Sequence, residues 1–308
     1  MQYKSKSFFR ILRENKILLL MLLPATIFTI IFSYIPMGGL VLAFKNYRYA
    51  DGIFGSPWVG FQNFRFLILS GKLWPITRNT ILYNLAFIVV GMVFQVGFAI
   101  ILSEIKGRRF KSFAQSSMFL PHFISWVVVA AIAYNIFSFE RGVLNNFVRS
   151  LNLDPINVYN NPDIWPFLLI FFKTWKGLGY GSVVYLAAIT GIDQEMYEAA
   201  DIDGANIWQK INHITIPSII PTIMIMLLLA LGGIFRGDFG LFYQLIGNNN
   251  ILLPKTDIID TFVFRSLMSS SDMGMASASG MYQSIVCFLT ILFANHCVKK
   301  VDPDYALY

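Results

Sequence analysis

Lys173 and Lys176 stand three residues apart near the middle of an apolar run that extends from about Ile164 to Thr190. Unpaired charge is costly in hydrocarbon, so ammonium groups at such a depth line a pathway, snorkel to an interface or pair with a neighbouring subunit. On one helix the two share neighbouring parts of a face, from which they can donate to hydroxyl or carboxylate oxygens. Trp175 lies between them, and Gly177, Gly179 and Gly181 follow, a series expected to thin or loosen the helix. Asn84, Gln95, His122, Trp126, Tyr185 and Gln283 add amides, an imidazole, a hydroxyl and aromatic faces within this and other apolar runs. Each can hold a polar ligand, and each can equally bond a neighbouring helix or anchor at an interface.

Covalent chemistry has no comparable footing. The sequence contains no Gly-x-x-x-x-Gly-Lys-Ser/Thr phosphate loop, no serine nucleophile elbow, no His-Glu-x-x-His pair and no carboxylate pair placed for hydrolysis. No catalytic residue is assigned, and any energy from ATP must come from another polypeptide. His122, directly after Pro121, carries no metal or catalytic signature, and Cys287 and Cys297 have neither disulfide nor metal spacing. The chain is expected to hold no metal and no cofactor of its own.

The elements that must position these groups are membrane helices. Hydrophobic residues make up 56% of the chain and charged ones 13%, against roughly 25% charged in a soluble domain. The net charge of +7 gathers beside apolar runs, where membrane orientation explains it and nucleic acid is not needed. Six runs are long enough to cross about 30 Å of hydrocarbon: Ile17 to Ala43, Asn79 to Leu102, Ser117 to Phe137, Ile164 to Thr190, Ser218 to Ile234 and Ala278 to Val298. Basic clusters at Lys4 to Lys16, at Lys106 to Lys111 and at Lys299-Lys300 place both termini and the loop after the second run in the cytoplasm. Segments 44 to 78, 138 to 163 and 235 to 277 then fall outside, although Lys45, Arg48, Arg65, Lys72 and Arg78 count against that placement of the first. The N-terminal run is too long for a signal peptide and is read as a retained first span.

Between the fourth and fifth runs lies a polar stretch with five acids and Lys210 as its strong base. Asp193 is placed to N-cap a short helix through Ala200, with acids near its positive end. Gly204 can take the left-handed conformation that stops it, and Asn206 with Gln209 forms a capping-box restart. Pro217 is expected to end the second helix. The product is a compact knob, 193 to 217, built to dock; its acids either meet basic groups on a partner or form a solvated face.

The spacing of Glu198-Ala199-Ala200, three residues, Gly204, nine residues and Ile214-Thr215-Ile216-Pro217 resembles the cytoplasmic coupling loop of bacterial ABC importer permeases, with Ile216 in place of Leu. Asp203-Gly204-Ala205 resembles the carbohydrate-uptake, maltose-type branch. Ile35 to Gly39, Ala43 to Tyr47, Gly52 to Gly60 and Asp257 to Thr261 with Phe264-Arg265 are similar to permeases that import polysaccharide fragments with a lipoprotein receptor, such as the alginate and rhamnogalacturonan systems. The resemblance covers nearly the whole chain and is specific for family, not for substrate.

It implies an all-α membrane protein of six spans with a coupling helix between the fourth and fifth. Its parts are a cytoplasmic N-terminal segment 1–16, a transmembrane domain 17–298 with the coupling loop 193–217, and a cytoplasmic tail 299–308. It further implies a second related permease, two ATPase subunits that bind ATP and Mg, a solute-binding lipoprotein outside, and an oligosaccharide taken up by alternating access. Glu198 contacts the ATPase, Ala199 and Ala200 permit close docking, Gly204 makes the bend, and Asp203, Ala205, Ile214 and Pro217 complete the motif. Lys173, Trp175, Lys176, Asn84, Gln95, Trp126, Tyr185 and Gln283 become the substrate-path candidates. A secondary sugar transporter or channel needs no docking loop, and a membrane-bound sugar-processing enzyme needs an acid/base pair.

Overall fold

The computed structural model describes residues 14–270 and 272–301. Lys4, Lys6, Arg10 and Arg13, the tail 302–308 and the side chain of Cys297 lie outside the described residues. Every named element among the described residues is helical, and extended backbone pairs only at the isolated bridge between Lys45 and Trp58.

The uncharged stretch between Lys16 and Lys45 forms α1 (Lys16–Phe44). Its ladder widens to a π-turn at Ile30–Tyr34, just before Pro36, and tightens to a 3-10 helix at Gly38–Phe44. Such local adjustments relieve the missing N–H and the ring of a proline inside a membrane helix. Every described residue through Gly38 is exposed, so most of α1 packs on nothing within this chain. Its 3-10 end leads into a loop centred on Lys45, which is 3% exposed. The Lys45 ammonium donates to the carbonyls of Ile53 and Phe54 at 2.9 and 2.7 Å and lies 5.0 Å from the Trp58 ring. One of the charges that argued against an outside placement is therefore absorbed inside the loop. A short α2 (Gln62–Leu69) follows.

The bundle is built on α3 (Leu73–Glu104). The single third span expected over Ser117 to Phe137 is instead two helices, α4 (Arg108–Phe123) and α5 (Trp126–Phe137), bent by 95°. Pro121 weakens the end of α4, Ile124 is extended, and Ser125 caps α5 by accepting from the Val128 N–H at 3.4 Å. After α6 (Val143–Ser150) comes α7 (Trp165–Thr190), which runs unbroken through its glycines. The expected loosening does not occur, because close packing holds that stretch. A Cβ on Gly179 would lie 2.1 Å from the Met118 carbonyl oxygen of α4, and one on Gly181 would lie 2.2 Å from the Gln95 side chain of α3. Missing side chains thus let three helices approach, the usual basis of association where lipid removes the hydrophobic drive.

The knob is α8 (Gln194–Ile202) and the start of α9 (Ile207–Leu231). Pro217 does not end the second helix, contrary to the sequence expectation. A π-turn at Ile211–Thr215 precedes it, Pro217 enters at the first positions of the following helical segment, and the chain continues into the bundle.

The expected long mixed loop 235 to 277 is largely helical and buried: α10 (Phe239–Ile246), a turn at Leu253–Thr256, and α11 (Ile259–Ser270), before α12 (Met273–Val301). Leu241 and Phe242 of α10 pack with Tyr83 and Phe87 of α3, Ala133 of α5 and Leu169 of α7. Buried irregular backbone survives only when other groups satisfy it. Here α3 supplies them: Asn79 donates to the carbonyls of Pro254 and Asp257, Tyr83 donates to Lys255, and Thr80 accepts the Ile259 N–H.

Candidate functional site

Two adjoining cavities, about 300 and 350 Å³, open between α3 and α7 and share Gln95, Lys173, Tyr180 and Gly181. The first is completed by His122, Trp126, Lys176 and Asp238, the second by Asn84, Tyr185 and apolar groups including Phe87 and Met226. Gly177 leaves this wall of α7 low, while the space beside Gly181 is taken by the Gln95 side chain that both cavities share.

Both lysines are engaged, in different ways. The Lys173 ammonium pairs with Asp238 Oδ2 at 2.7 Å and lies 5.9 Å from the Phe87 ring. Asp238 Oδ1 meanwhile accepts the Leu241 N–H at 3.1 Å, capping α10. The Lys176 ammonium donates to the carbonyls of His122 and Pro121 at 2.5 and 3.4 Å, at the break between α4 and α5, and lies 5.4 Å from the Trp126 ring. A cation there satisfies the carbonyl-rich end of α4. The His122 and Tyr180 rings stack face to face at 4.5 Å with 7° between planes, which leaves only their outer faces free, and Tyr180 is 60% exposed.

Of the substrate-path candidates, Lys173, Lys176, Gln95, Trp126, Asn84 and Tyr185 line one or both cavities. Asn84 also bonds the carbonyls of Ile234 and Arg236, so its amide anchors the chain that leads to Asp238. Trp175 faces the core against Phe172 instead. Gln283 joins the Phe235 carbonyl and Asp260 across α11 and α12, away from either lining. His122, singled out with them as a polar aromatic group in an apolar run, lines the first cavity too, whereas Asp238 and Tyr180 belong to the site and were not among the candidates. The signal for Asp238 was available: an ammonium in mid-span requires a counter-ion, and Asp238 is the acid just beyond the fifth apolar run.

At the other end of α7 the knob has the local geometry its sequence expects. Asp193 accepts the Glu195 N–H at 3.0 Å, and Asn206 with Gln209 makes a complete capping box. Gly204 sits at φ +74°, with Ala205 N–H bonding Ala200 O at 2.9 Å and Gly204 N–H bonding Asp201 O at 3.1 Å, a Schellman end for α8. Asp203 is its C-cap residue, Ala200 is half-buried, and Glu198 and Ala199 are exposed. Ile202 and Trp208 are 87% and 70% exposed, large apolar groups on a polar knob. Among the described residues no group of His, Cys, Asp and Glu is placed to hold a metal ion.

A polytopic helical membrane protein with a polar cavity against one long helix, and a capped knob at that helix's end, defines a transport permease. The chain belongs to the family of binding-protein-dependent transport system inner membrane components, which matches residues 95–303. It is 31% identical to protein LplB of Bacillus subtilis over 98% of this chain and 94% of that one. It is also 31% identical to the polygalacturonan/rhamnogalacturonan transport system permease protein YteP of the same organism, over 94% and 90% of the two chains. A solved bacterial ABC transporter involved in the import of the acidic polysaccharide alginate contains a chain that superposes with a TM-score of 0.86 at 31% identity, covering 96% of this chain and all of that one. The same kind of transporter, in complex with an alginate pentasaccharide-bound periplasmic protein, matches with a TM-score of 0.85. The fold is thus that of a maltose-type ABC permease, and the chain is the membrane component of an ABC importer, in which separate subunits hydrolyse ATP.

Proposed function

We propose that this chain forms one half of the translocation pathway of an importer for oligosaccharides or polysaccharide fragments in a bacterial cytoplasmic membrane. The cavity between α3 and α7 carries the reading. It sets amide, hydroxyl and ammonium donors beside the flat faces of Trp126, Tyr180 and His122, and a sugar is held by hydrogen bonds at its hydroxyls and by aromatic faces against its C–H side. The names of YteP and of the alginate transporter support the same substrate class.

In this reading α1, α3, the bent pair α4–α5, α7, α9 and α12 are the six spans, and both termini and the knob are cytoplasmic. The basic residues Lys106, Arg108, Arg109 and Lys111 at one end and Lys299 and Lys300 at the other support that orientation. A second related permease completes the pathway, a solute-binding lipoprotein delivers the sugar, and two ATPase subunits bind ATP and Mg. Each ATPase receives a knob in a surface cleft; here Ile202 and Trp208 supply apolar contact and Glu198 the polar one. Closure of the ATPase pair moves α8 as a rigid body and rocks the bundle between two states.

The test is sugar-stimulated ATP hydrolysis and uptake by the reconstituted complex carrying Gly204→Val, whose branched side chain opposes the φ of +74°. Both are expected to fall together while the chain still inserts. A well-inserted variant with wild-type stimulation would overturn the coupling reading and return a secondary transporter as the explanation.

A further inference from the structure

The cavity wall holds two ammonium groups, Lys173 and Lys176, and one carboxylate, Asp238. Its remaining polar groups, Gln95, His122 and Tyr180, include no carboxylate, so the ammonium groups outnumber the acids of the lining by one. In a cleft walled by low-dielectric protein that excess favours an anion. The ion pair that partly neutralises it is open to a ligand: the side chains of Lys173 and Asp238 are 38% and 21% exposed.

Asp238 is placed so that it can release Lys173 and remain satisfied. Its two oxygens are divided, with Oδ2 on the ammonium and Oδ1 on the Leu241 N–H at the start of α10. On losing Lys173 the carboxylate keeps its helix-capping bond and the favourable end of the α10 dipole. Lys173 in turn keeps the Phe87 face. Lys176 does not offer the same exchange, because its ammonium closes the carbonyls at the break between α4 and α5.

Resting on the reading of the chain as an oligosaccharide permease, we propose that Asp238 is an exchangeable counter-ion for Lys173. A uronate carboxylate entering the cavity takes the ammonium from Asp238, while the sugar's C–H face lies on the outer face of Tyr180, whose other face is stacked on His122. An oligosaccharide of neutral sugars has nothing to exchange and leaves the ion pair closed. Lys173 is then a residue that selects carboxylate-bearing oligosaccharides, and Asp238 holds its place when the pathway is empty.

The test uses the full complex in proteoliposomes, with its own receptor throughout, and two probes: tetragalacturonate and the same tetrasaccharide fully methyl-esterified. The quantity read is the ratio of charged to neutral uptake, variant over wild type, in which the receptor's own preference cancels. Asp238→Asn retains a capping oxygen but no charge, and is expected to lower the half-saturating concentration for tetragalacturonate while leaving the ester unchanged. Lys173→Met is expected to reduce the ratio by about tenfold, as loss of one charge-assisted hydrogen bond should. The double variant Lys173→Met/Asp238→Asn removes the ion pair as a unit while Lys176 stays on its carbonyls, and is expected to take up the ester at the wild-type rate with the reduced ratio of Lys173→Met, which separates selectivity from misfolding. Ratios at the wild-type value in all three variants would overturn the exchange and leave the oligosaccharide reading standing. Failure of the wild-type complex to take up either probe, or to hydrolyse ATP faster with them, would overturn both.

Discussion

Tyr197 Oη and Thr215 Oγ1 lie 2.9 Å apart, joining α8 to the π-turn of α9 across the knob. Thr215 is buried, and close by the Lys210 ammonium pairs with Asp201 at 2.7 Å. The two short helices are therefore clamped to one another and to the base of a long one, so a push on α8 moves α9. Replacing Tyr197 by Phe removes one buried hydrogen bond, worth about 1 kcal/mol, without changing packing volume. Sugar-stimulated ATP hydrolysis of the assembled complex should fall by about fivefold, with hydrolysis in the absence of sugar unchanged. An equal fall in both rates would instead place Tyr197 in assembly.

Gly204 gives a graded test of the same unit. A Cβ there meets nothing within 4 Å, so any penalty comes from its φ of +74° and not from crowding. Left-handed backbone costs an ordinary residue about 1–2 kcal/mol, and Asn tolerates it best. Gly204→Asn should retain most stimulation, and Gly204→Val should lose most of it. Equal loss in both would mean that the position is read directly by a partner surface.

The knob was legible because caps, a left-handed glycine and a capping box act within a few residues of Asp193, Gly204 and Asn206. Pro217 misled for a related reason: local rules end a helix there, but a π-turn upstream lets the chain pass. Beyond the knob the limits were those of distance. The helices between Ile234 and Met273 read only as a long mixed segment because the groups that satisfy them, Asn79, Thr80 and Tyr83, lie 175, 179 and 172 positions from their partners. Lys173 stood out by its depth, yet its counter-ion lies 65 positions on, and only packing of α10 against α7 brings it near. Gln283 and Trp175 do not line either cavity, an orientation that helical periodicity over two ambiguous apolar runs does not resolve.

Lys45 makes the loop after α1 a single folded unit. Its ammonium is the donor for both Ile53 and Phe54 carbonyls, and Trp58 covers it. Lys45→Met keeps the aliphatic stem but leaves two acceptors without that donor, at a cost of about 1–3 kcal/mol. Faster protease cleavage between residues 46 and 58 in intact proteoliposomes is expected, with little change in insertion. Unchanged cleavage would show that the backbone bridge to Trp58 and the bonds of Ser56 and Asn63 hold the loop without the ammonium.

Gly179 and Gly177 sit two residues apart on α7 and should respond oppositely to the same substitution. At Gly179 an added methyl would lie 2.1 and 2.4 Å from the carbonyl oxygen and carbon of Met118, so the backbone of α4 or α7 must move. At Gly177 the same methyl meets only the Gln95 side chain, at 3.9 Å. Overpacking against backbone costs about 1–3 kcal/mol and here also displaces the Pro121 and His122 carbonyls that hold Lys176. Gly179→Ala should lower the thermal midpoint of the detergent-purified complex and weaken uptake, while Gly177→Ala leaves the midpoint in place. If both alanines were tolerated alike, α4 and α7 would be free to separate by the width of a methyl group. The geometry of the cavity would then depend on the partner permease more than on this chain.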